Sequence, residues 1–197
     1  AKDAPVRTPK DLAGGTIGVG ALGDFNQLTV MAWLERNGVA RDAVQYVELR
    51  FGEVGAALQR GTVKAAFITE PFKSDAVRAG LIRDFADTYL AVAPEIAVVV
   101  WFASKSWLQR NPDAAKRLVT GIYATARYAN THYQQTAEIL ARVAKLDAAV
   151  IEKMVRAYFA TSNDRKYVQD MLQLAARYGL VQRPVTFEEY CPPLQTA

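Results

Sequence analysis

Short apolar segments alternate with helix-like segments that end at glycines through the first ninety or so residues of this chain. The strand-like segments are TIGV (16–19), VQYVEL (44–49), KAAFIT (64–69) and LIRDFA (81–86). The helices between them are predicted to end at Gly38, Gly61 and Gly80, because glycine readily adopts the conformation that closes a helix. Strand–helix units with such short connections predict a parallel sheet flanked by helices, which is an α/β fold.

The sequence changes character after Pro94. The segment IAVVVWF (96–102) is continuously apolar, which is typical of a strand buried on both faces. Everything beyond it is predicted to be helical, beginning with a long helix at Asn111. The inner face of this helix is predicted to carry Leu118, Val119, Ile122, Tyr123 and Ala126. A lone buried strand would leave backbone groups unpaired. The segment therefore either joins the first sheet or belongs to a sheet built from residues outside this chain.

Composition favours an ordinary globular protein without nucleic-acid, metal or membrane-spanning features. Hydrophobic residues make up 51% and charged residues 22%, and the net charge of +4 is spread without a basic stripe. Cys191 is the single cysteine, so neither an internal disulfide nor a cysteine metal cluster is expected. The single histidine, His132, is expected at a helix end or in solvent. Without a nucleophile–histidine pair, we predict no catalytic residue, metal or cofactor.

The order of three segments resembles that of a known family. These are TPKDLAGGTIGV, ALQRGTVKAAFITEPF and IAVVVWFASKSWLQRNPDAAKRLVTGIYATARYAN. Together they resemble the substrate-binding proteins of bacterial ABC importers, in the branch that serves nitrate, sulfonates, taurine and thiamine precursors. The resemblance covers most of residues 6–140. It implies two α/β lobes that close on a ligand, with residues 8–94 forming lobe two and residues 95–197 returning to a lobe one that is incomplete in this chain.

The resemblance also implies a function. It predicts a periplasmic or lipid-anchored protein that captures a small organic or anionic solute and delivers it to the membrane permease of an ABC importer. A ligand-sensing regulatory domain and an enzyme of thiamine-precursor synthesis share this fold and are the alternatives. Because the family begins with further sequence, we expect that Ala1 is not the natural start. A chain lacking that sequence is expected to self-associate through an exposed strand edge.

The turn after the first strand is the first candidate ligand site. Ligands of open α/β sheets lie beyond the carboxyl ends of the strands, near helix N-termini. The turn comprises Gly20, Ala21, Leu22, Gly23, Asp24, Phe25 and Asn26. Its glycines would let the backbone approach a ligand, and the family uses this turn for binding. Asp24 by itself is predicted first as the N-cap of the following helix. Relatives with oxyanion ligands carry hydroxyl residues here, whereas this turn has none.

The ends of the second and third strands supply the other candidates. Phe51 and Glu53 follow the second strand, and Phe51 is predicted to stack on a ligand or to pack in the core. Thr69, Glu70 and Phe72 follow the third, where the family places an acid before proline. Asp24, Glu53 and Glu70 would bring three acids to one rim, and neighbouring like charges require compensation. We therefore hypothesise a ligand with an amino, heteroaromatic or otherwise polar face.

Overall fold

A computed structural model describes residues 1–191 of the chain and divides it into two compact units. The first comprises Ala1–Pro94 with Ala137–Arg156, and the second comprises Glu95–Thr136 with the chain from Ala157 onward. The second unit begins at the predicted boundary, whereas residues 137–156 group with the first. The assignment of residues 8–94 and 95–197 to two lobes of a binding protein stays a prediction.

A parallel sheet flanked by helices forms the centre of the first unit, which confirms the predicted fold class. Strands β1 (Thr16–Val19), β2 (Gln45–Glu48) and β3 (Ala65–Ala66) lie in the order β2-β1-β3. In the register of both parallel pairs, Ile17 lies opposite Tyr46 and Ala65. The central strand β1 is paired on both edges, and the side chain of Val19 is completely buried.

The predicted fourth strand, LIRDFA, is wrong. The backbone groups of its first residue, Leu81, form hydrogen bonds outside the sheet. The Leu81 N–H donates to the Ala76 carbonyl at 3.1 Å. The Leu81 carbonyl accepts from the Lys2 N–H at 3.2 Å and from the Gln59 amide at 2.7 Å. With these groups satisfied by a helix end, a side chain and the N-terminal segment, residues 81–86 have no regular secondary structure.

Helices of the first unit pack their apolar faces on the sheet. They are α1 (Phe25–Arg36), α2 (Val54–Gln59) and α3 (Phe72–Arg78), with 3₁₀ helices at Pro9–Leu12, Phe51–Glu53 and Tyr89–Ala91. Leu34 of α1 packs with Ile17, Val30 and Val44 in one core cluster. Val54 and Leu58 of α2 belong to a second cluster. The short helix α7 (Ala148–Lys153) contacts α3, and its Ile151 packs on Ala137.

Two glycines near β1, Gly15 and Gly18, are in close contact with neighbouring side chains. A Cβ added at Gly18 would lie 2.8 Å from Leu49 Cδ2 and 3.3 Å from the Ala66 Cβ, so these two side chains pack closely against the glycine. The stem of Lys64 lies against Gly15, and its ammonium group donates to the carbonyls of Asp11 and Ala13 at 3.3 and 3.2 Å. Lys64 therefore lies at the amino end of the strands and stabilises the loop before β1.

The second unit is helical within its described residues. Its helices are α4 (Lys105–Arg110), α5 (Pro112–Thr131), the start of α6 (Tyr133–Ala144), α8 (Gln169–Arg177) and α9 (Phe187–Tyr190), with a 3₁₀ helix at Arg165–Tyr167. The predicted inner face of α5 is partly wrong. Leu118 is exposed, but Ala126 is buried as predicted, and Val119, Ile122 and Tyr123 are half-buried. Ala115 and Ala129 are the other buried residues of this helix. The sequence also predicts a helix from Asp147 to Ala160, but the helix there ends at Lys153, where Met154 is extended.

The predicted strand 96–102 forms no ladder with the residues that the structure describes. Ala97 donates its N–H to the Tyr167 carbonyl at 2.8 Å, but the rest of the segment has no regular secondary structure. Its side chains are largely exposed, including Val99 at 84%, Trp101 at 79% and Phe102 at 94%. The prediction of burial on both faces is therefore wrong within residues 1–191, since no strand lies alongside to cover them.

Candidate functional site

The carboxyl ends of all three strands meet at one edge of the sheet. Leu49, directly after β2, donates its N–H to the Val19 carbonyl at 2.8 Å, and Phe67, after β3, donates to the Gly18 carbonyl at 2.8 Å. The segments that follow therefore begin side by side. This is the edge at which open α/β sheets bind ligands. It contains the predicted segments 20–26, 51–53 and 69–72, whose role in binding stays a prediction.

Side chains of the protein already occupy several donors of the turn after β1. The Leu22 N–H donates to Glu48 Oε1 at 3.0 Å, and the Gly23 N–H donates to Gln27 Oε1 at 2.7 Å. Gly23 has a φ of 75°, which favours glycine at this position. The turn is therefore held by the last residue of β2 and by the first turn of α1.

Asp24 is the N-cap of α1, as its position in the sequence predicts. Its Oδ1 accepts from the Gln27 N–H at 2.8 Å, and its Oδ2 accepts from the Asn26 amide at 3.0 Å. The first N–H groups of a helix carry partial positive charge and attract an anion. In this protein the Asp24 carboxylate itself takes the place of that anion. This explains why a negatively charged residue stands at the start of α1.

Tyr89, from a distant part of the chain, contacts the end of the same turn. Its hydroxyl donates to Asn26 Oδ1 at 3.0 Å, and its ring stacks on Phe25 with centroids 6.4 Å apart. The neighbouring Thr88 shares a 2.8 Å hydrogen bond with Thr29, which is completely buried. Burial, followed by the charges of Asp87 and Asp24, raises the pKa of Tyr89 to about 12. Tyr89 therefore remains a neutral donor under ordinary conditions.

Phe51 lies between the turn and α3. A Cβ added at Gly20 would lie 3.3 Å from the end of the Phe51 ring, so the glycine makes room for this side chain. The Phe51 ring also contacts the Phe72 ring, with centroids 6.0 Å apart and planes tilted by 42°. Phe51 is half-buried, which matches neither a fully buried core residue nor a freely exposed one. Gly20 thus serves an aromatic contact within the protein.

Glu70 belongs to a local charge network at the start of α3. Its Oε2 accepts from the Ser74 N–H at 3.1 Å, and its Oε1 lies 3.4 Å from the Lys73 ammonium. Lys73 also donates to Asp84 at 3.0 Å. Burial lowers the pKa of Lys73, but the hydrogen bonds and charges of Asp84 and Glu70 outweigh burial and raise it. The peptide between Glu70 and Pro71 is cis.

The three predicted acids therefore do not depend on a ligand for compensation. Hydrogen-bond donors of its own helix stabilise the Asp24 carboxylate, and the Lys73 ammonium and the Ser74 N–H stabilise that of Glu70. Glu53 is exposed to solvent at the end of a 3₁₀ helix. Ala21 and Thr69 are half-buried at the same edge. The electrostatic argument for a ligand with an amino, heteroaromatic or otherwise polar face is therefore weaker, and that ligand class stays a prediction.

Sequence reasoning missed three residues that shape this edge. Gln27 stands three positions after Asp24. This Asp-x-x-Gln spacing is typical of a capping box and could have predicted that Gln27 holds the start of α1. Glu48 is the last residue of β2, where a polar side chain reaches the strand ends. Tyr89 has no such signal, because its contact with Asn26 joins residues 63 positions apart.

Other residues with chemical potential lie apart from one another. His132 is the C-cap of α5, as predicted; its ring stacks on Tyr128 with centroids 3.8 Å apart. Cys191 is a free thiol at the end of α9. Within residues 1–191, no three His, Cys, Asp or Glu side chains cluster in a way that could hold a metal ion. No helix in that range is long and apolar enough to cross a membrane.

A surface hollow lies at the opposite edge of the sheet. It has a volume of about 360 Å³ and is lined by residues near the amino ends of the strands, among them Val6, Leu58, Val63 and Lys64. Lys64 in this lining is engaged by the carbonyls of the preceding loop. Because ligands of parallel sheets bind at the carboxyl ends, we place the candidate site at the strand ends.

The fold is shared with two kinds of solved proteins. The chain aligns with the periplasmic aliphatic sulphonate binding protein SsuA from Escherichia coli at a TM-score of 0.77 and 19% identity, over 96% of this chain and 62% of that one. It aligns with the alkanesulfonate-binding protein SsuA from Xanthomonas axonopodis pv. citri bound to MOPS at 0.74 and 16%, over 94% and 64%. The chain thus spans less than two thirds of either protein.

The second kind is an enzyme. The desulfurization enzyme DSZB matches at a TM-score of 0.69 and 21% identity, over 98% of this chain and 72% of that one. At such identities the similarity establishes the fold alone. No curated protein sequence matches the chain. Residues 1–145 match the NMT1-like family, which is most of the chain. The chain therefore belongs to the NMT1-like family and has the fold of the periplasmic sulphonate-binding protein SsuA.

Proposed function

We propose that the protein is the solute-binding component of an ABC-type importer. It would capture a small organic or anionic solute in the periplasm, with or without a lipid anchor, and deliver it to a membrane permease. The observation that carries the proposal is the alignment of 96% of the chain with a periplasmic sulphonate-binding protein. The alkanesulfonate-binding protein SsuA from Xanthomonas axonopodis pv. citri shares this fold. Organosulfonates are therefore the first ligands to test.

The candidate site supports binding without bond chemistry. Two of its carboxylates have partners within the protein: Asp24 accepts from the Gln27 N–H, and Glu70 forms an ion pair with Lys73. These contacts favour a prearranged surface at the carboxyl ends of the strands. A prearranged surface loses little conformational freedom when a ligand binds, which favours affinity. Delivery to a permease then requires only a difference in ligand affinity between two conformations of the protein.

Calorimetric titration and thermal unfolding with a panel of ligands test the proposal. The panel contains ethanesulfonate, MOPS, taurine and nitrate, added to the full chain. A ligand present at one hundred times its Kd stabilises the folded state by about 2.7 kcal/mol. We expect at least one sulfonate to bind. If none of the four binds or stabilises the chain, the proposed solute class is wrong.

A pair of variants tests whether the ligand binds at the candidate site. Glu70→Gln removes a charge at the strand ends, whereas Asp113→Asn removes one from the first turn of α5 in the second unit. If the ligand contacts the candidate site, Glu70→Gln changes the affinity and Asp113→Asn does not. Equal affinity of Glu70→Gln and wild type would remove Glu70 from the site.

The match to DSZB supports a second candidate function, that of an enzyme acting on organosulfur compounds. A further structure of DSZB contains biphenyl-2-sulfinic acid and aligns at a TM-score of 0.66 with 18% identity. Incubating the chain with this compound and measuring released inorganic sulfur tests the alternative. Release above a heat-denatured control would favour an enzyme, and binding without release would favour the importer component.

A further inference from the structure

We propose that residues 98–102 form a strand pair between two copies of this chain. The segment lies antiparallel to the same segment of the second copy, and the pair is centred on Val100. The resulting dimer is symmetric, since each copy contributes the same residues to the contact. It does not depend on the proposed function.

Contacts within the second unit hold the segment at both ends. Before it, Glu95 forms an ion pair with Lys166 at 2.8 Å. Ala97 donates its N–H to the Tyr167 carbonyl, also at 2.8 Å. After it, Ser104 begins α4 as the N-cap of that helix. A segment held in this way loses less conformational freedom on pairing than a free chain would.

The backbone groups of residues 98–102 are available for pairing. Within residues 1–191, none of these N–H and C=O groups forms a hydrogen bond with another backbone group. Unpaired backbone groups of an apolar segment are a template for pairing with another chain. Proteins often prevent such pairing with lysine or proline at a strand edge. Residues 96–102 contain neither of them and no charged residue.

The side chains of the segment offer enough apolar surface for a second copy to cover. Trp101 is 79% and Phe102 is 94% exposed. These two aromatic side chains alone would bury on the order of 300–400 Å² per chain. The exposed side chains of Val98, Val99 and Val100 add to this area. Their sum approaches the roughly 800 Å² that each partner buries in a standard interface. The second copy brings an equally apolar segment, so each one covers the other.

The hydrogen bond of Ala97 indicates which edge pairs and in which register. Backbone groups of alternate residues in a paired strand point to opposite edges. Because Ala97 faces Tyr167, residues 98, 100 and 102 point their backbone groups to the other edge. An antiparallel pair centred on Val100 uses these groups and places Val98 opposite Phe102 of the second copy. Pairs of a β-branched and an aromatic side chain stabilise neighbouring strands.

Disulfide cross-linking tests the register. In a Cys191→Ser chain, which has no other cysteine, Val100→Cys places two thiols opposite each other across the dimer. Opposite residues of a hydrogen-bonded pair lie about 5.5 Å apart between Cα atoms, which a disulfide can span. Val155→Cys, at a valine of the first unit that is 72% exposed, is the control. Under mild oxidation, Val100→Cys should form covalent dimers about tenfold faster, because pairing raises the effective thiol concentration.

Two proline variants test the edge. Val100→Pro removes an N–H at the centre of the proposed pair and should abolish the dimer in sedimentation velocity. Val99→Pro removes an N–H that points to the other edge and leaves a similar apolar side chain. It should retain most of the dimer. Both positions lie outside regular secondary structure, and circular dichroism shows whether each variant is folded.

Each outcome supports or overturns the strand pair. A concentration-dependent dimer with fast cross-linking at position 100, lost in Val100→Pro and kept in Val99→Pro, supports it. A wild-type chain that stays monomeric at high concentration overturns it, as do fibres or other open-ended assemblies. Equal cross-linking of the two cysteine variants, or equal loss of the dimer in both proline variants, overturns it as well. Ligand binding is measured separately, so these results leave the proposed function untouched.

Discussion

Two apolar segments with strand-like sequences have opposite fates in this protein. TIGV becomes the central strand β1, paired on both edges and nearly free of solvent exposure. The more strongly apolar segment 96–102 forms no ladder within the described residues and exposes Val99, Trp101 and Phe102. Apolar sequence therefore supplies the tendency to be buried, but a strand also needs neighbours for its backbone groups.

The comparison extends to what each region can do. The segments after β1, β2 and β3 meet because the strands are parallel and adjacent, and this brings Gly20, Phe51 and Phe72 together from distant parts of the sequence. Residues 96–102 carry equally large side chains without a comparable framework. We therefore expect ligand binding at the strand ends, where strand pairing fixes the side chains. At residues 96–102, which lack such pairing, we expect association between chains.

The largest expected difference lies between core residues of the two regions. Leu34→Ala, at a completely buried position of α1, should lower the free energy of unfolding by about 2–5 kcal/mol. Val99→Ala should change it by less than about 0.5 kcal/mol, because Val99 is 84% exposed. Urea denaturation measures both. A loss at Val99 as large as that at Leu34 would mean that residues 96–102 are covered in solution.

Helix caps provide a comparison of intermediate size. Asp24→Ala should lower the free energy of unfolding by about 0.5–2 kcal/mol, since Asp24 caps a helix with a buried face. Ser104 caps α4 by accepting from the Trp107 N–H at 3.2 Å, but α4 has no buried residue. Ser104→Ala is therefore expected to fray α4 without changing global stability. Hydrogen exchange distinguishes local from global opening, and a global loss in Ser104→Ala would contradict the comparison.

Tyr89→Phe should have a smaller effect with a pH signature. Loss of the hydrogen bond to Asn26 is expected to cost about 0.5–1.5 kcal/mol. The pKa of Tyr89 rises from 10.0 to about 12 on folding, so the folded state retains a proton that the unfolded state loses. This contribution is complete below pH 10 and is lost as pH rises towards 12.

Urea titrations across that pH range test the sign. Wild type should lose stability more steeply than Tyr89→Phe between pH 10 and 12. The other tyrosines are common to both proteins, so the difference between the two curves isolates Tyr89. Parallel curves would mean that the Tyr89 hydroxyl is solvated in solution.

The smallest effect on stability is expected at Trp101, where association should change instead. Trp101 is 79% exposed beside Val99 and Phe102, and exposed apolar segments of this kind promote contacts between chains. Trp101→Lys should reduce self-association in light scattering and leave the urea midpoint unchanged. A wild-type chain that stays monomeric at high concentration would contradict the association.

Much of the candidate site follows from local sequence. The Asp24 cap, the glycine-ended helices and the succession of strands could be predicted because they depend on neighbouring residues and on periodicity. The hydrogen bond between Tyr89 and Asn26 could not, because it depends on how distant segments pack. The partners of the predicted acids could not be predicted for the same reason: Lys73 and local N–H donors lie beside Asp24 and Glu70, and only the tertiary structure reveals such pairs. The ligand class stays a prediction.

The sequence by itself determined the α/β class, the parallel sheet of the first unit and the family. Those features rest on short-range patterns of apolar residues, glycines and caps, which any sheet of this kind requires. Only the tertiary structure decided that LIRDFA is not a strand, that residues 96–102 find no partner within the described chain, and that Phe51 lies against Gly20. Backbone pairing and close contact depend on residues that are far apart in sequence. A segment gains free energy from burial only where another segment packs against it.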